Sequence, residues 1–230
     1  MRSRMKKNNI TTIESASDEL EVFLNSKGVS ASDLKYSIQQ AVIAYNSTTT
    51  DEPAGYRGYT ITAKATLALR QVLKPLGFSK ESPHNIELTA NKENKFAIHI
   101  CRGDEQAGMQ SGYPSTMRAK GPRSQEFFGL TTSDINQIDM FQEDLPNNSV
   151  SSCPFDVWFL LLNAEKTQEG LNIKAELSKP VFCSQKGFVN GFSKRFVIDM
   201  SDFNSGLLID TNENSEDGFS DDIDLDISMN

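Results

Sequence analysis

Apolar positions recur at helical spacing through the first third of the chain and at strand spacing through most of the rest. Leu34, Ile38, Ala41, Val42 and Tyr45 fall on one face of a helix predicted from Ser32 or Asp33 to Tyr45. Residues 14–26 read as a shorter helix, with Ser15 or Ser17 as its cap, acids in its first turn and an end before Gly28. The two make a helical N-terminal part over residues 10–50, preceded by a basic flexible end at 1–9. The polar stretch from Asn46 to Gly55 breaks the periodicity and places a boundary near residue 50. From Thr62 to Leu73 the series Ala65, Leu67, Ala68, Leu69, Val72 and Leu73 is helical again, until Lys74-Pro75 and Gly77 stop it.

Beyond Gly77 the period shortens. Residues 86–90 and 95–101 read as two strands of a hairpin turning at Asn91–Asn94, the second alternating Phe96, Ile98 and Ile100 against Ala97, His99 and Cys101. Thr132 or Ser133 is placed to cap a helix running to Phe141. Phe155–Leu162, Leu171–Leu177, Lys194–Asp199 and Leu207–Asp210 read as further strands, several joined by Gly-bearing connections of hairpin length. The expected fold is α+β: a core domain over 56–210 with a mainly antiparallel sheet of about five to six strands and flanking helices. The run Val157–Leu162 is a buried strand, far below the roughly 20 apolar residues that cross a bilayer, so no membrane association is expected.

Charge changes this picture at one end. The chain carries a formal charge of −8, yet no Lys or Arg follows Arg195, and ten acids lie between Asp199 and Asn230, so residues 1–198 sum to −8 + 10 = +2. A low overall pI therefore hides a mildly basic body, which is compatible with a nucleic-acid or phosphate partner. Residues 211–230 are too acidic and too poor in bulky groups to fold alone, and an acidic disordered tail is expected. Three cysteines without a CxxC pair, and an amino end lacking the apolar stretch of a secretory signal, point to reduced thiols in a cytoplasmic, microbial protein.

Candidate chemistry gathers in three places. The Gly- and Pro-bearing stretch from Gly103 to Arg123 holds Tyr113, Arg118, Lys120 and Arg123, with Arg102 at its start, and Lys194 and Arg195 add to the same field. Arginine donates bidentate hydrogen bonds to phosphate oxygens, lysine adds a point charge, and Tyr113 or Phe127 offers a stacking face for a base. The second place is Asp156, at the head of an apolar strand, with Lys174 and Glu176 about twenty residues on. Two carboxylates beside a lysine can hold Mg²⁺ at a scissile phosphate. Pro154-Phe-Asp156 and Glu176 with its neighbouring lysines loosely resemble the PD-(D/E)xK nucleases, and that resemblance implies Asp156, Glu176 and Lys174 as catalytic residues with Mg²⁺ as cofactor. Glu176 and Lys174 also fit the wet face of an amphipathic strand whose other face is Leu171, Ile173, Ala175 and Leu177. His99 and Cys101 share a strand face without the spacing of a zinc module.

The third place is the tail, where Ile223, Leu225 and Ile227 alternate with aspartates, a pattern suited to adding a strand to a sheet edge through residues 219–230. The leading expectation is a non-enzymatic binding or accessory protein without a cofactor. It would contact nucleic acid or a phosphate-rich ligand through the basic loop and a protein partner through the tail. A divergent Mg²⁺-dependent nuclease and an adaptor or inhibitor acting only through protein contacts are the alternatives.

Overall fold

A computed structural model describes residues 18–49, 51–53, 55–132, 152–167 and 170–201. Residues 18–25 form helix α1, and α2 spans Ala31–Asn46. Helix α2 begins one residue before the expected Ser32 because Ser30 and Asp33 close a capping box, each side chain accepting from the other residue's backbone N–H. Helix α3 runs Tyr56–Leu73, six residues ahead of the start read from the sequence. Its first turn, Tyr56–Tyr59, holds no buried apolar residue, so the apolar stripe alone understates its length. Lys74–Leu76 tighten into a 3₁₀ turn at Pro75 and Gly77 closes it, as the sequence indicates.

Seven strands follow: β1 Phe78–Glu81, β2 Leu88–Asn91, β3 Phe96–Arg102, β4 Thr131–Thr132, β5 Asp156–Thr167, β6 Gly170–Cys183 and β7 Val189–Ile198. A short helix α4, Pro122–Phe128, lies between β3 and β4. The strands join in the order β1-β2-β3-β5-β6-β4, with β7 paired to β6. The molecule is α+β, but its sheet is mixed and not mainly antiparallel, and among the described residues it has seven strands where about five to six were expected. Both β3 with β5 and β4 with β6 are parallel. The reason is the long connection between Arg102 and Asp156. It carries the chain back across the sheet, and alternation in a strand encodes which face is buried, not which way the strand runs. Thr132 belongs to β4, and the remainder of the helix expected to Phe141 lies outside the described residues, as do the strand expected at 207–210 and the tail.

Both faces of the sheet are covered. Phe96, Ile98, Trp158, Leu160, Leu162, Ile173, Leu177 and Phe196 pack against Leu20, Leu24, Leu34, Ile38, Ile61 and Leu69 from α1, α2 and α3. Phe23 sits among these rings, 4.3 Å from Trp158 and 5.2 Å from Phe196 between centroids. The opposite face, Ala97, Cys101, Val157, Phe159, Leu161 and Val189, packs under Phe127, Leu130 and Ala107. Burial on both sides explains why Val157–Leu162 is continuously apolar instead of alternating. Among the described residues, no helix is long and apolar enough to cross a membrane.

Candidate functional site

Strand β2 pairs with β3 only from Phe96 to Ile98, so residues 99–102 of β3 lack a β2 partner on that side. Above this open edge stand the first turns of α3, and beside it runs the segment 103–121. Together they enclose a cavity of about 150 Å³ lined by Gly58, Tyr59, Thr62, His99, Ile100, Cys101, Arg102, Thr116, Arg118 and Lys120. Among the described lining residues three are cations and none is a carboxylate. No carboxylate among the described residues pairs with Arg118 or Lys120, which leaves their charge to the cavity and to solvent.

Each cation is placed by a local cause. Arg102 ends β3 with its guanidinium against the bare backbone of α3, where a Cβ on Gly58 would stand 2.3 Å from its Nη1. Lys120 extends over the Phe159 ring, 5.5 Å from its centroid, and its ammonium donates to His99 Nε2 at 3.1 Å. The same histidine's Nδ1 lies 2.9 Å from the Glu87 carbonyl. An ammonium can only donate, so Nε2 accepts and the imidazole proton sits on Nδ1. Burial, and then the charge of Lys120, hold the His99 pKa down at about 3. His99 is thus a neutral acceptor that aims Lys120 and adds no charge of its own.

This arrangement has a measurable pH signature. Between His99's ordinary value of 6.5 and its folded value of about 3, the unfolded chain takes up a proton that the native chain refuses, so stability falls as pH drops through that window. Glu81, Glu87, Asp156 and Asp199 titrate below their ordinary values of 4.5 and 3.8, so their slope falls near and below those values, and between about pH 5.5 and 6.5 the slope belongs mainly to His99. We expect chemical denaturation to show a slope of up to about 1.4 kcal/mol per pH unit there, and His99→Gln to flatten it. An unchanged slope in the variant would assign it elsewhere.

The segment 103–121, expected as an irregular stretch, is tied down along its whole length. Asp104 accepts from the Gln106 and Ser115 amides, Thr116 N–H donates to the Val189 carbonyl at 2.9 Å, and Lys120 N–H donates to the Gly187 carbonyl at 2.8 Å. Its centre is clamped by Glu176 and Arg195. Glu176 is fully buried and accepts from Gly108 N–H at 2.8 Å, Ser178 Oγ at 2.6 Å and the Arg195 guanidinium. Arg195 in turn donates to the carbonyls of Gly112 at 2.6 Å and Met109 at 3.0 Å.

The structure therefore sorts the residues singled out from the sequence. Arg102, Arg118 and Lys120 converge on the cavity. Arg195 is engaged by Glu176 and two loop carbonyls, and Lys194, on the other face of β7, lies over the Phe196 ring at 4.7 Å. Arg123 is exposed on α4 and Tyr113 is 86% exposed, and neither lines the cavity. Tyr59, Thr62, His99 and Thr116 line it and were not foreseen as ligand contacts. The unrecognised start of α3 hid Tyr59, because a helix read only from Thr62 onward gives no reason to place Tyr59 beside the loop.

Asp156 and Glu176 do not meet. Glu176 stands opposite Leu161, five residues along β5 from Asp156, or about 17 Å, and the odd difference puts the two side chains on opposite faces of the sheet. Asp156 bonds Lys179 at 2.6 Å and the Trp158 indole at 3.2 Å, with Lys27 at 3.8 Å. Burial pushes its carboxyl up, but these partners outweigh burial and hold it below the usual range. Lys174 reaches the Glu105 carbonyl at 3.4 Å. No cluster of three or more His, Cys, Asp or Glu suited to a metal ion occurs among the described residues. No protein-family model matches the chain, and neither a curated protein nor a solved structure does.

Proposed function

We propose that this protein is a binding module that receives a phosphate group of its ligand, a nucleic acid or a smaller phosphate ester, in the cavity bounded by Arg102, Arg118 and Lys120. The observation that carries the reading is the convergence of three cations from two segments on one concavity without a carboxylate. Arg118 and Lys120 pair with no carboxylate among the described residues, and an anion bound between them would offset the repulsion of their like charges. The N-terminal end of α3 adds a positive dipole end close by, while the Thr62 and Thr116 hydroxyls on the lining already donate to the Tyr59 and Arg118 carbonyls. The separation of Asp156 from Glu176 gives the nuclease reading no comparable support.

The test uses inorganic phosphate, pyrophosphate and a mixed-sequence single-stranded DNA as probes in calorimetry at low salt. Arg118→Glu with Lys120→Gln, the latter keeping an amide donor toward His99, is expected to weaken binding about 100-fold, since hydrogen bonds to charged groups are each worth roughly 1.5–3 kcal/mol. Arg123→Glu, outside the cavity, should change it little. Equal binding by wild type and the double variant would sink the proposal. Contact with a protein partner through Ile223, Leu225 and Ile227 is a separate proposal resting on sequence pattern. It predicts that deleting residues 211–230 removes partner binding while phosphate binding persists.

A further inference from the structure

The cavity is small for a complete organic ligand. At about 150 Å³ it falls below the roughly 300–1,000 Å³ of pockets that enclose one, though it has room for a phosphate group with a few waters. Whatever bears the phosphate must therefore rest on the rim. The rim residue with the largest flat face is Tyr59, which lines the cavity and is yet 66% exposed. Tyr56, one turn earlier on α3, is 41% exposed and extends the aromatic strip along the same face. On the other side Met117, 41% exposed, precedes Arg118 and adds apolar surface to the loop.

Building on the phosphate-binding reading, we infer that the ligand is a nucleoside phosphate, free or at the end of a strand, whose terminal phosphate enters the Arg102, Arg118 and Lys120 cavity and whose base stacks on Tyr59. A terminal phosphate carries close to two negative charges at neutral pH, matching the two charges of Arg118 and Lys120, which no described carboxylate pairs, better than the single charge of an internal phosphodiester. The cavity is also closed behind by His99, Ile100 and Cys101 of β3, so it admits a chain end more readily than a strand passing through. A tyrosine ring accepts any base face, so affinity for the base with little base specificity is expected.

Calorimetry with adenosine 5′-monophosphate, ribose 5-phosphate, inorganic phosphate and adenosine separates the contributions. The monophosphate is expected to bind about tenfold tighter than ribose 5-phosphate, the increment of one stacked base. Tyr59→Ala should abolish that difference, and Tyr59→Phe should preserve it. A 5′-phosphorylated oligonucleotide that binds well while its 5′-hydroxyl counterpart does not would identify strand ends as the source, and binding of the monophosphate alone would identify the free nucleotide. If ribose 5-phosphate and the monophosphate bind equally, or Tyr59→Ala weakens both alike, the stacking inference is overturned while phosphate binding stands. If no phosphate compound binds, or all bind the Arg118→Glu, Lys120→Gln protein as well as wild type, the phosphate reading itself is overturned.

Discussion

Arg195→Met is expected to destabilise the protein by about 3–5 kcal/mol, the usual cost of removing one partner from a buried ion pair. Glu176 is fully buried between β5 and β7, and in the variant its only remaining donors are Gly108 N–H and Ser178 Oγ. Two hydrogen bonds do not offset the desolvation of a full carboxylate charge. The variant also removes the guanidinium donors to the Gly112 and Met109 carbonyls, leaving Met109 only its bond from Gly112 N–H, so the loop loses its clamp along with the charge balance. Glu176→Gln with Arg195→Met, which leaves no buried charge, should recover much of the loss. A single variant as stable as wild type at neutral pH would mean that solvent reaches Glu176 and that the clamp contributes little.

That clamp marks the limit of what the sequence revealed. The helices were legible because their apolar stripes face one continuous core, and the long strands β5 and β6 because their apolar runs are bounded by turns. Strand β1 and helix α4 escaped because Phe78–Glu81 and Pro122–Phe128 each bury a single apolar residue, too few to establish a period. Within the site, the chemistry of Arg102, Arg118 and Lys120 could be named from residue type, but Arg195 looked the same on paper. Only its register on β7, beside Ser178 and one step from Glu176 on β6, turns it from a ligand contact into a structural tie. Asp156 and Glu176 illustrate the same point in reverse, since their spacing in sequence was suggestive and the parity of the β5–β6 register separates them.

The two ends of the loop should be separable by substitution, because different backbone contacts hold them. Gly108 has φ of +75° and a Cβ there would lie 2.7 Å from the Ala175 amide nitrogen and 2.9 Å from Lys174 Cβ, both on rigid β6. Gly108→Ala therefore combines the left-handed penalty of about 1–2 kcal/mol with about 1–3 kcal/mol of overpacking, unless the loop lifts away and breaks its bond to Glu176. If the loop opens locally, the loss is capped by the free energy of that opening, and amide exchange at residues 105–112 accelerates more than exchange in β5. The cations further along are fixed separately through Thr116 to Val189 and Lys120 to Gly187. Gly108→Ala should thus reduce stability while leaving phosphate affinity nearly unchanged. Gly187→Ala carries the same left-handed penalty but should also reach the site. With φ of +85° and a Cβ 2.6 Å from the Lys120 carbonyl oxygen, it displaces the backbone that carries Lys120 and should weaken phosphate binding about tenfold, the worth of one charge-assisted contact. Loss of affinity in Gly108→Ala equal to that in Gly187→Ala would show instead that the loop moves as one unit and that the Glu176–Arg195 clamp governs the site directly.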